Sequence, residues 1–269
     1  MTICIGTLCE KRKVVIFAAD RMLTNPVLSV EFEHDEPKYQ VLSKTCVALT
    51  AGEALVPTEL CEEVALEVEQ KASPKISNIA EIFCDKFREC KMKMVEERYF
   101  KPRGFTMRDY VQIQGHLNEN IVLRLERAIE SETLNLTIVI VGVDDKGANI
   151  FQIRDPGHAD CFNRLGFHAI GSGLPHAIST FISFNYTPNI DLKRAVYITY
   201  EAKKSAEKAP GVGKRATDMG IISSKGIRII KAEETKLLEE IYQKKMELGR
   251  KSIADVVGMI ENLPLEEKK

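Results

Sequence analysis

Residues 14–19 read Val-Val-Ile-Phe-Ala-Ala, an unbroken apolar run, and a strand of that kind is buried on both faces. Such a strand needs one layer above it and another below. A first strand over residues 2–8 precedes it, and the charged stretch Glu10-Lys11-Arg12-Lys13 makes the turn between the two. After a break at Asn25-Pro26, short strands are expected at 28–32, 39–42 and 45–50.

Helical spacing then takes over. Residues 58–70 are amphipathic, with Leu60, Val64, Leu66 and Val68 among the apolar positions. Pro74 separates them from a second helix at about 76–99, whose stripe carries Ile79, Ile82, Phe83, Phe87 and Met94. Lys101-Pro102-Arg103-Gly104 interrupts it, and residues 106–129 read as helix or a mixture of helix and loop. Strands return at 135–143 and 149–153 around the turn Asp144-Asp145-Lys146-Gly147, with 161–170 continuing the sheet. Helices over 175–184 and 191–208, strands over 217–223 and 226–231, and a charged helix over 233–261 complete the order. Two layers of sheet covered by pairs of helices satisfy this order, although periodicity alone does not select that fold.

Composition removes several function classes. Hydrophobic residues are 44% and charged residues 29%, which fits a packed core. The net charge is −1 with no basic arm or stripe, so nucleic acid is not an expected partner. The 7 cysteines are scattered without a CxxC pair, which argues against structural zinc and for buried thiols in a reducing cytosol. The 5 histidines lack ligand spacing, so no metal site is expected. Gly211-Val212-Gly213-Lys214 is not a phosphate loop, because Lys208 stands at its first Gly position and Arg215 where Ser or Thr would hold magnesium. No cofactor is implied. No apolar run reaches the roughly 18–20 residues of a membrane helix, and Met-Thr-Ile-Cys-Ile-Gly is not a signal peptide. A cytoplasmic protein is expected. Thr2 is small enough for Met1 to be removed before it, leaving Thr2 as the mature terminus.

The opening TICIGTLCEKRKVVIFAADR resembles that of proteasome β subunits and the bacterial HslV peptidase, where an N-terminal Thr strand is followed by an apolar strand ending in Ala-Asp-Arg. KYQVLSKTCVALTAG resembles the family's Lys strand ending in Ala-Gly, with the family's ungapped spacing from Lys38 to Gly52, and HAIGSG resembles its Gly-Ser-Gly turn at a helix start. Each motif alone is weak; their order and spacing are fairly specific. The resemblance covers most of residues 2–224. It implies an α+β fold, the four-layer α/β/β/α sandwich of N-terminal-nucleophile hydrolases. On that frame residues 1–269 form a single domain, with a helical insertion at about 99–130 and an extended, charged C-terminal helix over about 232–269.

The same resemblance implies a set of roles. Thr2 is the nucleophile, and its free α-amine, with an ordinary pKa of about 7.7–8.0, is the base. Lys38 lies beside Thr2 and favours the alkoxide, and Asp20 orients Lys38. The Gly52 N–H faces the oxyanion, and Ser172 hydrogen-bonds around the amine and a water. Each position has a plainer reading. Thr2 fits as an ordinary first-strand residue, Asp20 and Arg21 as a surface pair and Lys38 as a solvated lysine. Gly52 fits as a strand-to-helix turn glycine, and Ser172 as a helix N-cap.

Two features depart from the family. Proteasome β subunits carry an Asp and a Ser in a late Gly-rich segment, and residues 209–215 here (Ala-Pro-Gly-Val-Gly-Lys-Arg) have neither. Asp218 lies nearby, but at a strand position. The helical region after Tyr99 is also longer than in proteasome subunits. The implied activity is a threonine-type peptidase or amidase acting on a peptide or protein substrate. The alternatives are a protein ligase or transpeptidase using the same acyl-enzyme, as in archaeal connectases, and an inactive proteasome-like scaffold. A homo-oligomeric ring, or assembly with proteasome-like subunits, is a family inference.

Overall fold

The computed structural model describes residues 2–25, 30–52, 56–71 and 74–260. The opening strands are β1 (Cys4–Cys9), β2 (Val14–Ala19), β3 (Met22–Asn25), β4 (Val30–Glu33), β5 (Tyr39–Ser43) and β6 (Cys46–Gly52). Four α-helices follow, α1 (Val56–Glu69), α2 (Ile76–Val95), α3 (Met107–Ile113) and α4 (Glu119–Ser131). Then come β7 (Leu136–Asp144), β8 (Gly147–Arg154), β9 (His158–Cys161), β10 (Phe167–Ile170), α5 (Leu174–Ser183), α6 (Leu192–Ala206), β11 (Asp218–Ser223) and β12 (Gly226–Ile229). The chain divides into two compact units, Met1–Ile229 and Ile230–Lys269, and α7 (Ala232–Ile260) belongs to the second. Of the strand expected at 28–32, residues 28 and 29 lie outside the described residues.

The first unit is a mixed α/β structure. One five-stranded sheet has the order β10-β1-β2-β11-β12, a second the order β5-β6-β7-β8-β9, and β3 pairs with β4. Every described pairing is antiparallel. The period-2 alternation of strands explains how the layers form. Val15, Phe17 and Ala19 of β2 enter one buried cluster with Val47, Leu49, Val139, Val141 and Ile150, so the two sheets pack on each other there. Ile16 and Ala18, fully buried, point the other way, where α6 packs on β1 and β2. The alternate residues of the second sheet, Cys46, Ala48, Ile138 and Ile140, join a cluster with Leu60, Val64, Phe83 and Phe87 of α1 and α2. Each fully buried Phe or Ile contributes about 1.5–3 kcal/mol relative to exposure.

Two expectations are corrected. Leu66 is not a core position of α1; it is 62% exposed, while Leu60, Val64 and Val68 are buried. Residues 161–170 do not continue one sheet. β9 ends at Cys161 beside β8, whereas β10 pairs with β1 in the other sheet, and Gly166 O accepts from Leu8 N–H at 2.7 Å where the chain has crossed.

The helical region after α2 is built in short pieces. A π-helical turn, Glu96–Phe100, follows α2, and Gly104 (φ 79°) ends the next 3-10 turn in the left-handed region. Thr106 and Asp109 form a reciprocal capping box at the start of α3. Val95, Phe100, Tyr110 and Leu125 make a small core of their own, with the Phe100 and Tyr110 rings 5.1 Å apart. Among the described residues, no helix is long and apolar enough to cross a membrane.

Candidate active site

The antiparallel register of β1 and β2 sets Cys4 opposite Ala19. Thr2 and Asp20, just outside those strand ends, are therefore neighbours. Asp20 N–H donates to Ile3 O at 3.1 Å, and Ile3 N–H donates back to Asp20 Oδ1 at 3.2 Å. Thr2 is 2% exposed and Asp20 is fully buried. Thr2 Oγ1 donates to Asp20 Oδ1.

Lys38 precedes β5, and its carbonyl accepts from Thr50 N–H of β6 at 3.2 Å. Its ammonium donates to Thr2 Oγ1, to Met22 O and, at 3.0 Å, to Asp20 Oδ1. An ammonium has three protons, and here each has an acceptor. Asp20 is equally well satisfied. Oδ1 accepts from Thr2, Ile3 and Lys38, and Oδ2 accepts from Gly213 N–H at 2.7 Å. Four donors thus converge on an acceptor-only carboxylate in a buried setting, where leaving any one unmade is costly.

Thr2, Asp20 and Lys38 therefore form one hydrogen-bonded cluster. Ser172 does not join it through its side chain. Ser172 is exposed, and its hydroxyl donates to Pro210 O at 3.1 Å. Its two glycine neighbours touch Thr2 instead. Gly173 N–H donates to Thr2 O at 3.3 Å, and a Cβ on Gly171 (φ 101°) would lie 2.2 Å from that oxygen. Gly173, not Ser172, is the N-cap of α5. Gly52 ends β6 with φ 115°, exposed, and a Cβ there would lie 1.9 Å from Asn135 O. It stands two residues beyond Thr50, whose carbonyl accepts from Cys4 Sγ at 3.4 Å. Burial pushes the Cys4 thiol pKa up to about 12, which makes that thiol a poor nucleophile.

Several contributors carry no mark in the sequence. Met22 O and Gly213 N–H are backbone groups, which any residue type supplies. The late segment without Asp or Ser reaches the site through that Gly213 amide. Asp218, at the start of β11, makes a bidentate pair with Arg21 at 2.7 and 2.8 Å, so Arg21 does not bind Asp20. Glu33 accepts from the successive N–H groups of Lys214, Arg215 and Ala216 and holds the same loop. Among the described residues, no cluster of three or more His, Cys, Asp or Glu is placed to hold a metal ion.

No family model matches the chain, and no curated protein matches it.

Proposed function

We propose that this chain is a threonine-type N-terminal-nucleophile hydrolase, a peptidase or amidase resembling proteasome β subunits, with the two sheets and flanking helices as its α/β/β/α sandwich. One observation carries the reading: the Thr2 hydroxyl sits between the Asp20 carboxylate and the Lys38 ammonium, each hydrogen-bonded to it. A Lys-Asp pair with a fully buried carboxylate around a strand-end threonine is weak evidence of a purely structural role, since replacing such pairs by apolar residues is often neutral or stabilising.

The chemistry requires removal of Met1. The Thr2 α-amine then takes the proton of Oγ1 as Oγ1 adds to the scissile carbonyl carbon. The Lys38 cation against Oγ1 favours the alkoxide. The carbonyl oxygen becomes an oxyanion facing the Gly52 N–H. Collapse breaks the C–N bond, and the departing amine takes the proton from the α-amine, leaving an ester on Thr2. Water adds to that ester, the acid leaves, and Oγ1 regains its proton.

An epoxyketone or β-lactone reports on this nucleophile. The native chain is expected to be labelled, and Thr2→Ala to fold normally and stay unlabelled. Equal labelling of both proteins refutes the assignment.

A further inference from the structure

Lys203 is a lysine with no exposed surface. It lies on the face of α6 that also buries Ala195, Thr199, Ala202 and Ala206. A buried charge survives only if paired and hydrogen-bonded. Its Nζ donates to Glu207 Oε1 at 2.7 Å and to Gly213 O at 3.0 Å, while the other Glu207 oxygen lies 2.7 Å from Lys204 Nζ. Gly213 is the residue whose N–H donates to Asp20 Oδ2. One glycine is thus gripped at both ends, its amide by the carboxylate beneath Thr2 and its carbonyl by a buried cation. The fit is close, since a Cβ on Gly213 would lie 3.0 Å from Glu33 Oε1 and 3.3 Å from Asp20 Oδ2.

We propose that Lys203 is a positioning residue for the Thr2 site: by holding the Gly213 carbonyl it aims the Gly213 N–H at Asp20, and so fixes the carboxylate that orients Thr2 and Lys38. The consequence for reactivity rests on Thr2 being the nucleophile. The charged groups facing Lys203 are Glu207 and Lys204 on α6 and Asp20 beyond β2. Burial pulls the Lys203 pKa below the ordinary lysine range, and the Glu207 charge opposes that fall. Removing the Glu207 charge therefore makes Lys203 lose its proton at lower pH.

Two variants test this, read by hydrogen exchange at the Gly213 amide and by the pH profile of epoxyketone labelling. Lys203→Met keeps the bulk and removes the donors; about 10-fold faster exchange at Gly213 and about 10-fold slower labelling are expected. Glu207→Gln keeps an acceptor and removes the charge, and its alkaline limb of labelling is expected at lower pH than in the native chain. A purely structural role would not move that limb. Native exchange at Gly213 in Lys203→Met overturns the proposal, and so does an unmoved alkaline limb in Glu207→Gln. If Lys203→Met does not fold, Glu207→Gln decides. If the native chain is not labelled at all, the nucleophile reading fails, while Gly213 exchange still decides whether Lys203 holds the loop.

Discussion

At the scale of single residues, Lys38 and Gly52 make separable demands. Lys38 joins Thr2 Oγ1, Asp20 and Met22 O through one ammonium. If Thr2 is the nucleophile proposed above, Lys38→Met should slow its labelling by about 100-fold, since a positioned charge at Oγ1 is lost. Gly52 answers to backbone strain: its φ of 115° and the close Asn135 carbonyl leave no room for a methyl group. Gly52→Ala should therefore destabilise the fold by about 2 kcal/mol or more, read as a lower urea midpoint. An unchanged midpoint would show that the turn relaxes freely. The meeting of Thr2, Asp20 and Lys38 could be anticipated from the sequence because they join through side-chain groups that residue type identifies. Met22 and Gly213 could not, because they contribute a carbonyl and an amide. Lys203 left a faint trace, a lysine four residues after Thr199 and four before Glu207 on the helix stripe that also carries Ala195, Ala202 and Ala206.

At the scale of elements, periodicity located helices and strands better than it assigned their neighbours. In α1, Leu60, Val64 and Val68 recur every four residues and are buried, whereas Leu66 lies two residues from Val64, across the helix, and is exposed. Residues 161–170 misled for a different reason. Strand character is local, but the crossing between β9 and β10 depends on contacts distant in sequence, such as Leu8 N–H on Gly166 O. The helical region after α2 is held by local devices that can be tested one at a time. Thr106 accepts from Asp109 N–H at 3.2 Å, and Asp109 accepts from Thr106 N–H at 2.8 Å. Thr106→Ala should cost about 1 kcal/mol. The loss should appear as faster hydrogen exchange confined to α3 and its neighbours, with Thr2 labelling unchanged. Uniform destabilisation of both sheets would instead tie this region to the main core.

At the scale of the molecule, both ends of the first unit's sequence meet in one sheet, since β1 and β2 lie between β10 and β11. His168 on β10 lies within that assembly, its ring stacked 3.7 Å from Phe162 and its Nε2 without a hydrogen-bond partner among the described residues. Burial pulls its pKa down from 6.5 to about 4. Between those values the unfolded chain binds the proton and the folded chain does not, so stability is lost as pH falls through that window. The loss at the acid end is about 3 kcal/mol. His168→Phe should flatten the slope of stability against pH between 6.5 and 4; an unchanged slope would assign it to other groups. Thr2 can act as an N-terminal nucleophile only once Met1 has left, and the intact mass of the purified protein, before and after reaction with an epoxyketone, reports both events. The expected result is a chain lacking Met1 that gains one probe, carried by Thr2. A chain that keeps Met1, or one that loses it and gains no probe on Thr2, rules out Thr2 as the nucleophile.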